Sequence, residues 1–169
     1  MRRSHPFRLG LPVAAVALAL DQASKTAALT WLMDPPRVMP VTPFLNFVLS
    51  FNTGVTFGLG RELGVEGAWL LAAVAAAVVA LLMRWLARSE GWVETVAIGL
   101  VIGGALGNVA DRLRQGAVTD WLDLHYAGWH WPTFNLADVA IVSGVTLLLF
   151  APLLQRRSVQ NPGTSHGSV

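Results

Sequence analysis

The sequence predicts an α-helical membrane protein with four transmembrane helices, a small extracytoplasmic β-element and an interfacial loop or helix. Apolar residues make up 54% of the 169 residues and charged residues 13%, whereas a soluble domain carries roughly a quarter charged. The mean hydropathy is +0.53, which excludes a disordered chain. The formal net charge is +2, and the scattered basic residues form no stripe, so we expect no nucleic-acid partner.

Four apolar stretches approach the roughly 20 residues that cross the hydrocarbon core of a bilayer. An N-terminal secretory signal peptide is the alternative for the first stretch, because Arg2 and Arg3 precede it. The apolar stretch nevertheless continues to Met33, which is too long for such a peptide, so we predict an uncleaved span. The predicted spans are 9–33, 67–86, 95–112 and 134–154, in a single domain over 1–157.

The Lys and Arg residues beside the spans predict the orientation. Seven lie on the side that holds both termini and four on the other side. We therefore predict cytoplasmic termini, with segments 34–66 and 111–133 on the outer face. Four tryptophans would then lie near the outer boundary: Trp31, Trp69, Trp129 and Trp131.

The segments between the spans differ in character. Residues 38–60 include aromatic and β-branched residues before the turn-prone Asn52-Thr53-Gly54, a pattern typical of strands. Residues 115–131 mix aromatic, acidic and histidine side chains, which predicts an interfacial loop or helix. Residues 158–169 are rich in Ser, Gly and Asn, so we predict a disordered cytoplasmic tail.

Ionisable side chains within the spans are candidate functional groups, since an Asp at a helix centre costs about 2.5–3.5 kcal/mol on insertion. Asp21 and Lys25 are spaced i, i+4, which also suits a purely structural ion pair. Asn108, Asp111 and Arg112 share one helix face, where they could instead extend into the headgroups.

Asn135 and Asp138 are spaced i, i+3 at the start of the fourth span, where a carboxylate also suits the helix dipole. Capping explains Asn135 better than Asp138, because Asn135 lies nearer the helix start.

Several carboxylates should converge at the outer end of the bundle. Two carboxylates in a partly dry site share a proton, which provides a general base and a general acid. Metal binding is the competing use of such a cluster, but cysteine is absent, and His125 and His130 lack ligand spacing. We therefore expect neither a metal nor another cofactor. The converging carboxylates are Asp111, Asp120, Asp123 and Asp138.

Five sequence blocks, in order along the chain, resemble the lipoprotein signal peptidases, the type II signal peptidases of bacteria. They are D-Q-A-S-K (21–25), N-T-G-V-T-F-G (52–58), G-G-A-L-G-N-V-A-D-R (103–112), V-T-D-W (118–121) and F-N-L-A-D (134–138). This resemblance implies a four-helix aspartyl endopeptidase with an extracytoplasmic β-cradle in the cytoplasmic (inner) membrane. It would cleave diacylglyceryl-modified prolipoproteins before the lipidated Cys.

The same resemblance assigns roles to individual residues. Asp120 and Asp138 would be the catalytic pair. Trp121, Val55 and Gly58 depart from the family pattern beside functional positions without removing a carboxylate or an amide. Substrate binding or support of the site falls to Asn52, Gly54, Asn108, Asp111, Arg112, Asn135, Asp21 and Lys25.

The four outer-face aspartates are expected to differ in their roles. Arg112 beside Asp111 should keep that carboxylate ionised, as an orienting anion. Apolar neighbours should raise the pKa of Asp120, whereas Asp123 should be solvated and its replacement by Asn nearly silent. We expect a monomer whose partners are lipid-modified prolipoproteins and membrane lipids.

Two other functions remain possible from the residues alone. A proton-coupled membrane carrier could use Asp21, Lys25, Asp111 and Asp138 as a relay. Such a relay should cross the whole bilayer, whereas the inner halves of the predicted spans are apolar. A structural assembly subunit would leave the carboxylates in the membrane without a purpose.

Overall fold

The fold consists of four long helices and a small antiparallel sheet. The structure is a computed structural model and describes residues 5–33, 35–54 and 64–159. The helices are α1 (Pro6–Leu32), α2 (Gly64–Leu86), α3 (Trp92–Gln115) and α4 (Leu136–Val159). The strands are β1 (Met39–Thr42), β2 (Leu45–Asn52), β3 (Val118–Tyr126) and β4 (Trp129–His130).

Two of the helical segments, Glu66–Leu86 and Trp92–Gln115, are long and apolar enough to cross a membrane. Leu136–Ala151 is a shorter apolar stretch within α4. Helix α1 has 27 residues but includes Asp21 and Lys25. The predicted combination of apolar helices with a small sheet is confirmed, and the count of four spans remains a prediction.

Helix α3 is the centre of the bundle, because it packs against α1, α2 and α4. Glycines allow its backbone to approach two neighbours closely. A Cβ atom at Gly103 would clash with the backbone and side chains of Ala14 and Ala17 on α1. One at Gly104 would clash with the backbone of Ala137 on α4. These contacts hold α1 and α4 against α3 beside the C-terminal part of α3, which carries its polar residues Asn108, Asp111 and Arg112.

The sheet has the order β1-β2-β3-β4, with each neighbouring pair antiparallel. Its register places Ser50 opposite Asp120 and Asn46 opposite Asp123. The two residues of the turn between β3 and β4, Ala127 (φ 48°) and Gly128 (φ 83°), adopt the left-handed conformation that two-residue hairpins require. The sheet thus carries acidic residues of β3 beside amides and hydroxyls of β2.

The prediction of an interfacial loop or helix over 115–131 is wrong, because this segment contains β3 and β4. The strand was hidden by its polarity: Thr119, Asp120 and Asp123 are buried rather than exposed. The buried face of β3 therefore carries polar residues, so the strand lacks the alternation of apolar and polar residues by which a half-buried strand is recognised.

Parts of two predicted segments lie outside the described residues. The β-element predicted over 38–60 is described only as far as Gly54, so Val55 and Gly58 are among the residues left out. Helix α4 extends to Val159, slightly past the predicted start of the tail at 158, and the tail beyond it is outside the described part of the chain.

Candidate active site

A cavity of about 890 Å³ lies between the sheet, the C-terminal part of α3 and the N-terminal part of α4. Asp120 and Asp138 both line it, together with Asn108 and Arg112. The rest of the wall is mostly apolar, and it comes from β2, the β3–β4 hairpin and α4. These wall residues include Phe51, Val118, Leu124, Trp131, Pro132, Phe134, Val139, Ile141 and Val142.

Asp120 lies in β3 and is only 2% exposed. Asn135 Nδ2 donates to its Oδ1 at 2.6 Å, and Asn52 Nδ2 donates to its Oδ2 at 3.3 Å. The orientation of the Asn52 amide is fixed by the Gly54 N–H, which donates to Asn52 Oδ1 at 3.1 Å. The pairing of β2 with β3 thus supplies one donor to Asp120, and the start of α4 supplies the other.

Asp138 occupies the first turn of α4. Its Oδ1 accepts a hydrogen bond from Asn108 Nδ2 at 2.9 Å, and its Oδ2 accepts one from the Asn135 backbone N–H at 3.2 Å. In return, the Asp138 N–H donates to Asn135 Oδ1 at 3.0 Å. This reciprocal pair is the pattern of a capping box. Capping therefore involves both residues, whereas the sequence had assigned it mainly to Asn135.

The two carboxylates are coupled electrostatically. Burial raises the pKa of Asp120 to about 6, with a further contribution from the negative charge of Asp138. The amides of Asn135 and Asn52 oppose this increase because they stabilise the ionised form. Two carboxylates in such surroundings disfavour each other's ionisation and titrate as a coupled pair.

A second polar cluster lies behind the cavity. Lys25 Nζ is 2.9 Å from Asp21 Oδ2 and 2.9 Å from Asp111 Oδ2, and the side chains of all three residues are almost fully buried. Asp111 Oδ2 also accepts from the Thr119 backbone N–H at 3.1 Å, and Asp21 Oδ1 accepts from the Ala137 N–H at 2.9 Å. The ion pair that the i, i+4 spacing of Asp21 and Lys25 suggests is present, and Asp111 of α3 extends it to a cluster of three charges.

Arg112 does not pair with Asp111, contrary to the expectation from their adjacency. Its Nη2 donates to the Gly54 carbonyl at 3.1 Å and its Nη1 to the Asn108 carbonyl at 3.4 Å, while its buried Nε has no hydrogen-bond partner. The second cation on Asp111 is Arg114, at 3.0 Å. Adjacent residues on a helix point about 100° apart, which explains why the i, i+3 neighbour reaches Asp111 instead.

Sequence reasoning missed Gln22, although it lies within the D-Q-A-S-K block. Its Nε2 donates to Asp111 Oδ1 at 3.1 Å and to the Gly107 carbonyl at 3.2 Å, and its Oε1 accepts from Arg114. Gln22 thereby links α1 to α3 beside the buried cluster. Its position next to Asp21 within a polar interruption of an apolar stretch was the available signal.

The expectation that Asp123 is solvated is also wrong. Asp123 is only 5% exposed, because it lies between β2 and β4. Asn46 Nδ2 donates to its Oδ2 at 3.0 Å, and His130 Nδ1 is 2.8 Å from its Oδ1. Burial by itself would raise the pKa of Asp123, but the contacts with His130 and Asn46 outweigh it and lower that pKa.

We consequently expect Asp123→Asn to destabilise the protein by about 1 kcal/mol, the typical value of a hydrogen bond, without abolishing turnover. The lowered pKa means that Asp123 stabilises the fold above pH 3.8, its ordinary value, and loses this contribution at lower pH. Thermal unfolding at pH 3 and pH 7 would check this, because the difference between the variant and the parent should be smaller at pH 3 than at pH 7. Equal unfolding temperatures at pH 7 would contradict the prediction.

Among the described residues, the predicted site residues form two groups. The first group lines the cavity or lies directly behind its wall: Asn52, Gly54, Asn108, Arg112, Asp120, Asn135 and Asp138. The second group forms the buried charge cluster: Asp21, Lys25 and Asp111. No group of three or more His, Cys, Asp or Glu side chains in the described part of the chain could hold a metal ion.

A buried carboxylate, Asp120, and a partly buried one, Asp138, share one cavity on an apolar helical scaffold, an arrangement that defines a class, an enzyme of the membrane. The comparisons with known proteins specify the family. The model of signal peptidase (SPase) II matches residues 13–154, so the chain belongs to the signal peptidase II family and is a bacterial integral membrane peptidase.

Individual relatives agree with the family assignment. A lipoprotein signal peptidase from Methylobacterium sp. (strain 4-46) is 44% identical over 85% of this chain and 88% of the relative. One from Rhodopseudomonas palustris (strain TIE-1) is 43% identical over 93% of this chain and 99% of the relative. A solved bacterial membrane enzyme matches with a TM-score of 0.76 and 25% identity, covering 99% of both chains.

Proposed function

We propose that this chain is an aspartyl endopeptidase that removes signal peptides from diacylglyceryl-modified prolipoproteins, cleaving before the lipidated Cys. The observation that carries the proposal is the pair of carboxylates Asp120 and Asp138, which line one cavity and are bridged by Asn135. The names of the relatives supply the substrate class. The blocks shared with the family supply the catalytic assignment.

The mechanism follows from a pair that carries one proton. The ionised carboxylate removes a proton from water, which attacks the scissile carbonyl carbon. The protonated partner donates a hydrogen bond to the carbonyl oxygen and then helps to protonate the leaving amine. Both carboxylates already accept hydrogen bonds from amides of fixed orientation, so the pair needs little rearrangement before the reaction.

The walls of the cavity suit a substrate that carries acyl chains. Val139 and Val142 of α4 are apolar and at least partly exposed, and Trp131 of the β3–β4 hairpin borders the same space. Acyl chains that remain in the bilayer would fix the depth of the scissile bond and so position the peptide. Arg112, with its unpartnered Nε in the wall, is suited to a carbonyl or phosphate oxygen of the substrate.

We further propose four membrane spans, cytoplasmic termini and an active site at the outer face. The distribution of basic residues supports this orientation. Exposed Trp31, Trp129 and Trp131 lie on the same end of the bundle as the sheet, as interfacial aromatics would. We propose a monomer, because the described cavity is formed within one chain.

The packing argues against the carrier function. Away from the polar end, glycines bring α3 close to α1 and α4: Gly99 packs against Gly10 and Val13, and Gly144 packs against Ala97 and Val101. Helices in such close contact leave no space for a chain of proton-carrying groups across this part of the bundle.

Cleavage is expected to be independent of metal ions. The purified protein should cleave a diacylglyceryl-modified lipobox peptide at the same rate before and after treatment with EDTA. The same peptide without lipid is the matched control and should be cleaved poorly, because nothing holds it at the depth of the pair. Loss of activity with EDTA and its recovery with zinc would contradict the carboxylate mechanism.

Replacement by Asn is expected to have different effects at Asp111 and at the two candidate catalytic residues, Asp120 and Asp138. Asp111 binds two cations and a backbone N–H, so Asp111→Asn should lower the unfolding temperature together with the activity. Asp138→Asn should abolish turnover in protein that remains folded. Peptide cleavage and thermal unfolding of the purified variants would check both. A well-folded Asp111→Asn protein without activity, beside an active Asp120→Asn protein, would reassign the pair to Asp111 and Asp138.

A further inference from the structure

One amide group connects the buried charge cluster to the candidate catalytic pair. Lys25 Nζ donates to Asn108 Oδ1 at 2.9 Å, in addition to its contacts with Asp21 and Asp111. Asn108 Nδ2 in turn donates to Asp138 Oδ1 at 2.9 Å. Lys25 itself does not line the cavity. Its hydrogen-bond connection to the reacting groups therefore runs through Asn108, while its charge acts on them through space.

The contacts of Asn108 determine which way its amide points. An ammonium group only donates hydrogen bonds, so the group that faces Lys25 must be the carbonyl oxygen. Asn135 Nδ2 donates to the same oxygen at 3.2 Å, which occupies its second lone pair. Rotating the amide by 180° would place NH₂ against two donors and an oxygen against the Asp138 carboxylate. The amide is consequently held with its NH₂ toward Asp138.

We propose that Lys25 is a positioning residue for the reaction: it orients the Asn108 amide toward Asp138, and its charge keeps the Asp120–Asp138 pair singly ionised rather than fully protonated. This inference rests on the proposed function, because it assigns a role within the same site. Lys25 faces Asp21 on its own helix, Asp111 on α3 and, through Asn108, the pair on α4 and β3.

The charges of the two connected clusters agree with a singly ionised pair. Among the described residues of these clusters, four carboxylates are accompanied by three cations, so one proton on the pair makes the assembly neutral. Without Lys25 the same groups would be neutral only with a second proton, which would fully protonate the pair. The carboxylates are Asp21, Asp111, Asp120 and Asp138, and the cations are Lys25, Arg112 and Arg114.

The test has to separate this role from a purely structural one. Lys25→Met alone leaves Asp21 and Asp111 without their shared cation, so folding itself could fail. The double variant Asp21→Asn with Lys25→Met removes one charge of each sign and keeps an oxygen acceptor at position 21 for the Ala137 N–H. The single variant Asp21→Asn is its reference. Arg114→Met is the matched control, because Arg114 also binds Asp111 but has no described contact with Asn108.

The first measurement is the dependence of kcat/KM on pH, from pH 4 to 8, with the lipidated lipobox peptide. Relative to Asp21→Asn, the double variant should move the acid limb upward by about one pH unit, since an opposite charge nearby favours ionisation by one or more units. Its KM should stay within about twofold. Arg114→Met should move the acid limb much less, because the Arg114 side chain is 62% exposed and solvent screens its charge. An acid limb that is unchanged in the double variant would overturn the inference.

The second measurement does not depend on activity. The infrared carboxylic-acid band of the double variant should persist to a higher pH than that of Asp21→Asn. If the parent protein fails to cleave the peptide, the proposed function is wrong, while this titration still tests Lys25. Asn108→Leu, which keeps both ion pairs of Lys25, covers the case in which the double variant does not fold. Its acid limb and infrared band should shift upward in the same way, and unshifted values would overturn the inference.

Discussion

Asp120→Asn is expected to abolish peptide cleavage and, at the same time, to make the folded protein more stable near neutral pH. Activity should fall by about 10²–10⁴-fold, the usual contribution of a general acid or base. The gain in stability follows from the pKa of Asp120, which burial and the charge of Asp138 raise to about 6. An Asn at this position has no charge to bury at any pH.

The raised pKa of Asp120 makes its contribution to the free energy of unfolding depend on pH. A carboxyl group whose pKa is raised by folding stabilises the folded state fully below its ordinary pKa of 3.8. It loses this contribution as the pH rises through about 6. The unfolding temperature of Asp120→Asn relative to the parent should therefore increase between pH 4 and pH 7, by the equivalent of at most about 3 kcal/mol.

Asp123→Asn is the matched control, because it is the same substitution at another buried position of β3. It should retain turnover, and it should be less stable than the parent at pH 7. An Asp120→Asn protein that cleaves the peptide at a substantial rate would contradict the catalytic assignment. A difference in unfolding temperature that does not change with pH would contradict the raised pKa.

Lys25→Met is expected to cause the largest loss of stability among the single substitutions considered. Lys25 is 1% exposed and shared by Asp21 and Asp111. Removing one partner from a buried ion pair costs about 3–5 kcal/mol, because the remaining charge is uncompensated. The yield of folded protein in detergent and its unfolding temperature would check this.

The double variant Asp21→Asn with Lys25→Met should recover part of that loss. Asp111 retains Arg114 in this variant, so no carboxylate of the cluster is left without a cation. Leu at position 21 would suit the structure less well than Asn, since Asp21 Oδ1 accepts the Ala137 N–H. If the double variant is no better folded than Lys25→Met, the ion pairs do not neutralise one another.

The sequence best predicted those elements and site residues whose interactions are with residues close to them in the chain. The apolar stretches identified the helices, and the i, i+3 spacing of Asn135 and Asp138 placed both at the start of α4. The partner of Asp111 and the burial of Asp123 were misjudged because the groups that contact them are distant in sequence: Lys25 comes from α1, and Asn46 comes from β2. Only tertiary packing determines such contacts, and polar strands such as β3 lack the alternation that reveals a buried face.

The central position of α3 means that the part of the candidate site carried by this helix cannot loosen independently of the bundle. Asn108, Asp111 and Arg112 belong to the same helix that packs against α1, α2 and α4. Local opening of the catalytic region would require the main helix–helix contacts to separate, in contrast to enzymes that carry their reacting groups on mobile loops. Inactivation on heating should therefore coincide with global unfolding. A substitution that raises the unfolding temperature without altering the cavity should raise the temperature of inactivation by the same amount.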